Sequence, residues 1–226
     1  MIRVGIVTAL DFEARALGDA SHFTVHRCGL SGAGAKVAVR GLAEQGCGVV
    51  VSWGTAGALA PELKSGDLYL PDRVLTRDNE QVLTDTRWRE RFAGAARNVC
   101  TLGVGMLLDS PRIVAEPADK DRLHRSTGAG AVDMESGPVA KACAEIALPF
   151  LIVRSIIDEA RDRLPMFAAM HAGTADPMRR RFLLAGLALQ PGEWTNLVRL
   201  AWRYRSAKAS LNNAARVLAL CSETAS

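Results

Sequence analysis

Residues 150–157 (FLIVRSII) form a nearly continuous apolar run rich in β-branched side chains. A run of that kind describes a strand covered on both faces. Pro149 stands directly before it and stops the preceding helix, because proline lacks the N–H that the helical ladder needs. Upstream, residues 136–147 place Val139, Ala140, Cys143, Ile146 and Ala147 on one helical face, and 131–134 is a short apolar strand. The unit reads strand, helix, strand. Its two strands end in acids, Glu135 and Asp158. In open α/β sheets, ligands bind beyond the carboxyl ends of the strands, so the two carboxylates mark a candidate site. An acid after a strand also caps the next helix. Position alone leaves both readings open.

The N-terminal half continues the alternation. Residues 3–10 (RVGIVTAL) read as a first strand, followed by Asp11, Phe12 and Glu13 in a short helix. Residues 49–53 read as a second apolar strand, which runs into a glycine-bearing loop at 54–61. Between them, Gly29, Gly32 and Gly34 join a strand to a helix over 35–45. Their spacing reverses the dinucleotide fingerprint, and the next strand ends in Ser52 and Trp53 where that fold needs an acid. A tight turn opening a helix explains the glycines, and no cofactor is expected.

The 132–160 segment resembles the signature of the nucleoside phosphorylase and nucleosidase superfamily. Members related to methylthioadenosine/S-adenosylhomocysteine nucleosidase carry Val-Glu-Met-Glu and, later, Val-Arg-Ala-Ile-Ser-Asp. Here Val132, Asp133, Met134 and Glu135 match the first, and Val153, Arg154, Ser155, Ile156, Ile157 and Asp158 the second. The glycine segment, with Thr55 and Gly57, resembles the family's Gly-Ser-Ala-Gly-Gly-Leu, and Glu13 falls where the nucleosidases have a glutamate. The resemblance covers most of residues 1–160. It implies a three-layer α/β/α sandwich around a central mixed sheet.

The resemblance also implies roles. Asp158 is the acid that protonates the leaving purine at N7, and it must be neutral beforehand. The apolar run before it supplies the burial that raises a carboxyl pKa. The family often has a serine before this aspartate, and Ile157 departs from that. Glu135 accepts from the ribose 2′- and 3′-hydroxyls, Met134 packs on the ribose, and Thr55 and Gly57 belong to the substrate-binding set. Arg154 supports Asp133, as a structural ion pair or behind the site. Many phosphorylases of the superfamily carry an arginine three residues before the Thr55 position, and here that residue is Ser52. Another arginine is replaced by Glu13, which repels phosphate but can act as a base toward water. Arg15 lies near it in sequence. Hydrolysis is favoured over phosphorolysis. A non-catalytic nucleoside-binding protein is the alternative from another class.

At 226 residues with 49% hydrophobic content, the chain has enough to bury a sizeable core. No transmembrane span or signal-peptide core is expected, which implies a cytoplasmic location. The five cysteines are scattered and read as thiols in apolar segments, and the four histidines form no metal-spaced motif with them. No metal is expected.

Residues 1–190 read as the catalytic domain and 191–226 as a basic amphipathic helical extension. Pro191 and Glu193 fit a helix start. Trp194, Leu197, Val198, Ala201, Tyr204, Leu211, Ala215 and Leu218 then recur at helical spacing. Residues 178–216 hold eight Lys or Arg against one acid, although the whole chain is only +4. A solvated basic helix packed on the domain accounts for this. Peripheral attachment to an anionic membrane competes with it, and nucleic-acid binding lacks a reader motif. The tail, with Leu164 and Pro165, resembles the hopanoid-associated branch of the superfamily. That branch implies adenosylhopane, a purine nucleoside with a large apolar 5′ substituent, as substrate, and the superfamily implies a homo-oligomer.

Overall fold

The structure, a computed structural model, describes residues 2–18, 20–28, 32–97, 99–164 and 194–223, and of 20, 32, 33 and 194–201 the backbone alone. The turn at 29–31 and the features expected at 165–193, including the arginines at 179–181 and the helix start at Pro191 and Glu193, lie outside the described residues.

Eight strands form one mixed sheet: β1 (Val4–Thr8), β2 (Phe23–Arg27), β3 (Val49–Ala58), β4 (Leu68–Leu75), β5 (Gln81–Leu83), β6 (Leu102–Asp109), β7 (Ala131–Asp133) and β8 (Phe150–Asp158). Their order is β2-β1-β3-β7-β6-β4-β5, with β8 paired to both β3 and β4. The sheet therefore closes through β3, β7, β6, β4 and β8 back to β3. β3 is the hinge of this ring. Its first half lies parallel to β1 and β8, and its last residues pair antiparallel with β7.

Side chains alternate along the strands and build a core on each face. Val4, Ile6, Val49, Val51, Leu151 and Val153 point to one side. They meet α3 (Thr86–Ala96), α6 (Trp194–Glu223) and the turn after α1 (Asp11–Arg15). Val50, Phe150, Ile152 and Ile156 point to the other side and meet α2 (Gly32–Glu44) and α5 (Ser136–Glu145). A smaller core of Leu59, Ala129 and Val132 is covered by Leu123 of α4 (Pro117–Thr127). The helices start and stop for local reasons. Asp85 caps α3 by accepting from the Trp88 amide at 2.9 Å. Pro117 opens α4, and Gly128 ends it at φ 74, a left-handed conformation that costs glycine little. The three layers are those expected.

Two details differ from the sequence reading, and a third decides between its alternatives. The 54–58 segment is not a loop, because β3 continues through it to Ala58, with a register shift between Ala56 and Gly57. Small residues let the strand bulge there and still pair on both sides. Helix α5 ends at Glu145, so Ile146 and Ala147 are exposed and lie off the buried face. The C-terminal segment is a cover of the sheet. Ala207, Leu211, Ala214, Val217, Leu218 and Cys221 are all buried, most of them in the same core as β1, β3 and β8. The apolar stripe thus faces the domain through Leu211, Ala215 and Leu218, as the packed-helix reading requires, while Trp202 and Leu220 stay exposed. Side chains 194–201 of that stripe lie outside the described residues.

Candidate active site

The site is organised by the end of β3. Ala56 and Ala58 are buried, whereas Thr55 and Gly57 on the opposite pleat are half-buried. Gly57 lies opposite Val132 of β7 on one side and Asp158 of β8 on the other. The two acid-tipped strands therefore end beside the same stretch of β3.

Glu13 reaches this stretch from α1. Its carboxylate is 4% exposed and takes four donors. Oε1 accepts from the Thr55 amide at 2.8 Å and the Thr55 hydroxyl at 2.9 Å. Oε2 accepts from the Thr8 hydroxyl at 3.0 Å and the Leu10 amide at 3.2 Å, so the side chain reaches back over the first turn of α1. Its backbone carbonyl accepts from the Trp53 indole at 3.1 Å. Gly54 is required here, since a Cβ at that position would stand 2.7 Å from Oε1. Burial pushes the Glu13 carboxyl up, and the Arg154 charge and the hydroxyl and amide donors oppose it.

Behind Glu135 lies a buried polar network. Arg154 on β8 is 2% exposed and donates from Nε to Asp133 at 2.8 Å. Its Nη2 donates to Ser52 at 2.8 Å and to Ser136 at 2.9 Å. The Ser136 hydroxyl donates to Asp133 at 2.5 Å. Arg154 thus pairs with Asp133, as a group behind the site. Ser52, the residue at the phosphorylase arginine position, is occupied by this network. Glu135 itself stands at the N-terminus of α5, and among the described residues its carboxylate accepts from the Met134 amide alone, at 3.4 Å. Its carboxyl is pushed up to about 8, first by burial and then by the Asp133 charge, with Arg154 opposing and Glu13 adding to the rise. The Met134 carbonyl accepts from Arg77 at 2.7 Å, and Arg77 also pairs with buried Asp109. Neither residue of that brace stood out in the sequence.

Asp158 departs from expectation. It is 3% exposed, and burial raises its proton affinity. Its surroundings are not simply apolar, however. Lys120 of α4, itself fully buried, donates Nζ to Asp158 Oδ2 and opposes that rise. Nζ also donates to the carbonyls of Glu159 at 2.8 Å and Asp162 at 3.2 Å. Asp162 in turn pairs with Arg203 of α6. The next residue of α6, Tyr204, packs its ring 4.8 Å from that of Phe12, the neighbour of Glu13. One turn of the C-terminal helix thus touches both acid-bearing segments. Lys120 gave no signal in the sequence because it sits in a run of charged residues, PADKDRLHR, that reads as a solvated face.

The structure brings Glu13, Glu135, Thr55 and Arg154 into one electrostatic cluster. Asp158 joins it through Gly57, where a Cβ would stand 3.2 Å from the aspartate oxygens. Met134 is half-buried in the same turn as Glu135. Among the described residues no group of three or more His, Cys, Asp or Glu is arranged to hold a metal ion. The five cysteines form no disulfide.

A closed mixed α/β sheet thus sets two buried carboxylates, Glu13 and Asp158, and the half-buried Glu135 around one bulged strand end. The family model described as the phosphorylase superfamily matches residues 20–176, and the chain belongs to that superfamily. A 5′-methylthioadenosine/S-adenosylhomocysteine nucleosidase of Mycobacterium bovis is 28% identical over 191 residues, covering 64% of this chain and 74% of the relative. Among solved structures, the nucleosidase of that name from Helicobacter pylori, complexed with a pyrrolidinol compound, superposes with a TM-score of 0.72 at 16% identity, covering 98% of each chain. The futalosine hydrolase of the same organism gives 0.71 at 16% identity, covering 98% of this chain and 97% of that one. These two likenesses establish the fold.

Proposed function

We propose that this protein hydrolyses the N-glycosidic bond of a purine nucleoside and releases adenine. Asp158 protonates the base at N7 as the C1′–N9 bond breaks and its electron pair passes to the base. Glu135 accepts from the ribose 2′- and 3′-hydroxyls, and in its ionised form its charge favours the cation growing on the sugar. Met134 packs on the ribose. Glu13 takes a proton from the water that adds to C1′. The Thr8 and Thr55 hydroxyls rotate, so a water can replace either as donor to that carboxylate. The nucleosidases among the relatives support the reaction class.

The observation that carries the hydrolytic reading is the Glu13–Thr55 pair. The Thr55 amide and hydroxyl are the donors an incoming anion would take, and the Glu13 carboxylate already holds both. A phosphate dianion there would face a buried negative charge. For the substrate's far end, we favour a large apolar 5′ substituent, with adenosylhopane as the candidate. Support comes from the resemblance of the 161–226 segment to the hopanoid-associated branch, and from Arg203 and Tyr204 standing against both acid-bearing segments.

The test is Asp158→Asn, which keeps size and polarity but supplies no proton. Loss of a positioned general acid costs about 100- to 10,000-fold in turnover. Adenine release from methylthioadenosine should fall within that range while the protein remains folded. Near-normal release by the variant would remove Asp158 from the mechanism.

A further inference from the structure

We infer that Lys120 is the positioning residue for Asp158. Its ammonium fixes Oδ2 and leaves Oδ1 as the carboxyl oxygen that exchanges a proton with a bound base. This rests on the proposed reaction, in which Asp158 is the acid.

The geometry is specific. Lys120 is fully buried, and all three of its hydrogen bonds go to the 158–162 segment: the Asp158 carboxylate and the carbonyls of Glu159 and Asp162. Among the described residues, Lys120 bonds Oδ2 while Asp158 Oδ1 has no hydrogen-bond partner, and both oxygens lie beside Gly57 on β3, 3.2 Å from where a Cβ would stand. The other charges around Asp158 are engaged elsewhere. Asp162 pairs with Arg203 of α6 and accepts from the Glu159 amide at 2.7 Å. Glu159 pairs with Lys64 at 3.3 Å. Lys120 is the cation in direct contact with Asp158. Ile157 has no donor to orient the aspartate, so a donor from α4 fills that need.

The chemistry follows from the charge. When the Oδ1–H bond breaks and N7–H forms, Asp158 becomes a carboxylate in a buried setting. Lys120 stands at its other oxygen and stabilises that product of the transfer. The same charge makes the protonated form scarcer and a stronger acid. A merely structural lysine at the same distance would also shift the titration of Asp158, but its loss from a folded protein would leave kcat for adenine release unchanged.

The experiment is a carbon-13 carboxyl titration of Asp158, assigned by difference against Asp158→Asn, in the wild type and in Lys120→Met, Lys120→Gln and Lys120→Arg. An opposite charge at this distance lowers a carboxyl pKa by about 1–3 units. The Asp158 midpoint should therefore rise by about that much in the Met variant, and in the Gln variant, which keeps a donor for the carbonyls should Met not fold. Lys120→Arg should keep the wild-type midpoint. At a pH below the Asp158 midpoint of every variant, where the acid is protonated in all of them, adenine release from methylthioadenosine should fall roughly tenfold in kcat in the neutral variants, with KM little changed, because a weaker acid transfers its proton more slowly. An unmoved midpoint in a folded neutral variant would overturn the inference. If the wild type released no adenine and the midpoint still moved, the proposed reaction would fail while the control of Asp158 by Lys120 stood.

Discussion

Glu135 and Asp158 are both carboxylates at strand ends, and their surroundings treat them differently. Asp158 has a buried cation at hydrogen-bond distance, whereas Glu135 has Asp133 and Glu13 nearby and only the distant compensation of Arg154. The Glu135 carboxyl is pushed up to about 8 from an ordinary 4.5. A carboxyl whose folded pKa is raised adds stability that is complete below its unfolded pKa and is lost as pH rises through the folded value. Between pH 5 and 8.5 the wild type should therefore lose stability that Glu135→Gln does not lose. The advantage of the variant should grow across that window by on the order of 1–3 kcal/mol and level off above it. Urea unfolding at both pH values checks this, and a constant difference between the two proteins would contradict it.

At the scale of elements, the helix and strand positions were legible in the sequence wherever the hydrophobic period was unbroken. The apolar run that became β8, the Pro149 stop and the α5 face through Cys143 are local patterns, and periodicity reads them directly. The 54–58 segment was not legible as strand, because its glycines signal a turn. It pairs only because β7 and β8 flank it, a long-range fact. The site divided in the same way. Glu13, Glu135 and Asp158 could be named from motif resemblance, but Lys120 and Arg77 act through tertiary contacts made far along the chain. The C-terminal helix was legible as amphipathic, yet the stripe alone did not say what it covers. Since Leu218 is fully buried in the core of β1, β3 and β8, Leu218→Ala should destabilise the whole protein by about 2–5 kcal/mol in a single unfolding transition. A free extension would feel less than about 0.5 kcal/mol. A change that small, or a separate early transition of the helix, would mean that α6 is not part of the cooperative core.

For the whole molecule, the ring of β3, β7, β6, β4 and β8 is what turns separate strand ends into one site. It sets β7 and β8 on either side of the β3 bulge, and α1 and α6 close over the same region from the adjoining face. In the proposed reaction this assembly directs water, and not phosphate, to the sugar carbon. Analysis of the products formed from methylthioadenosine and from adenosylhopane, each with and without phosphate, tests it most directly. Adenine and a free ribosyl sugar should form at the same rate in both conditions. A strict requirement for phosphate, with a ribosyl 1-phosphate as product, would contradict it.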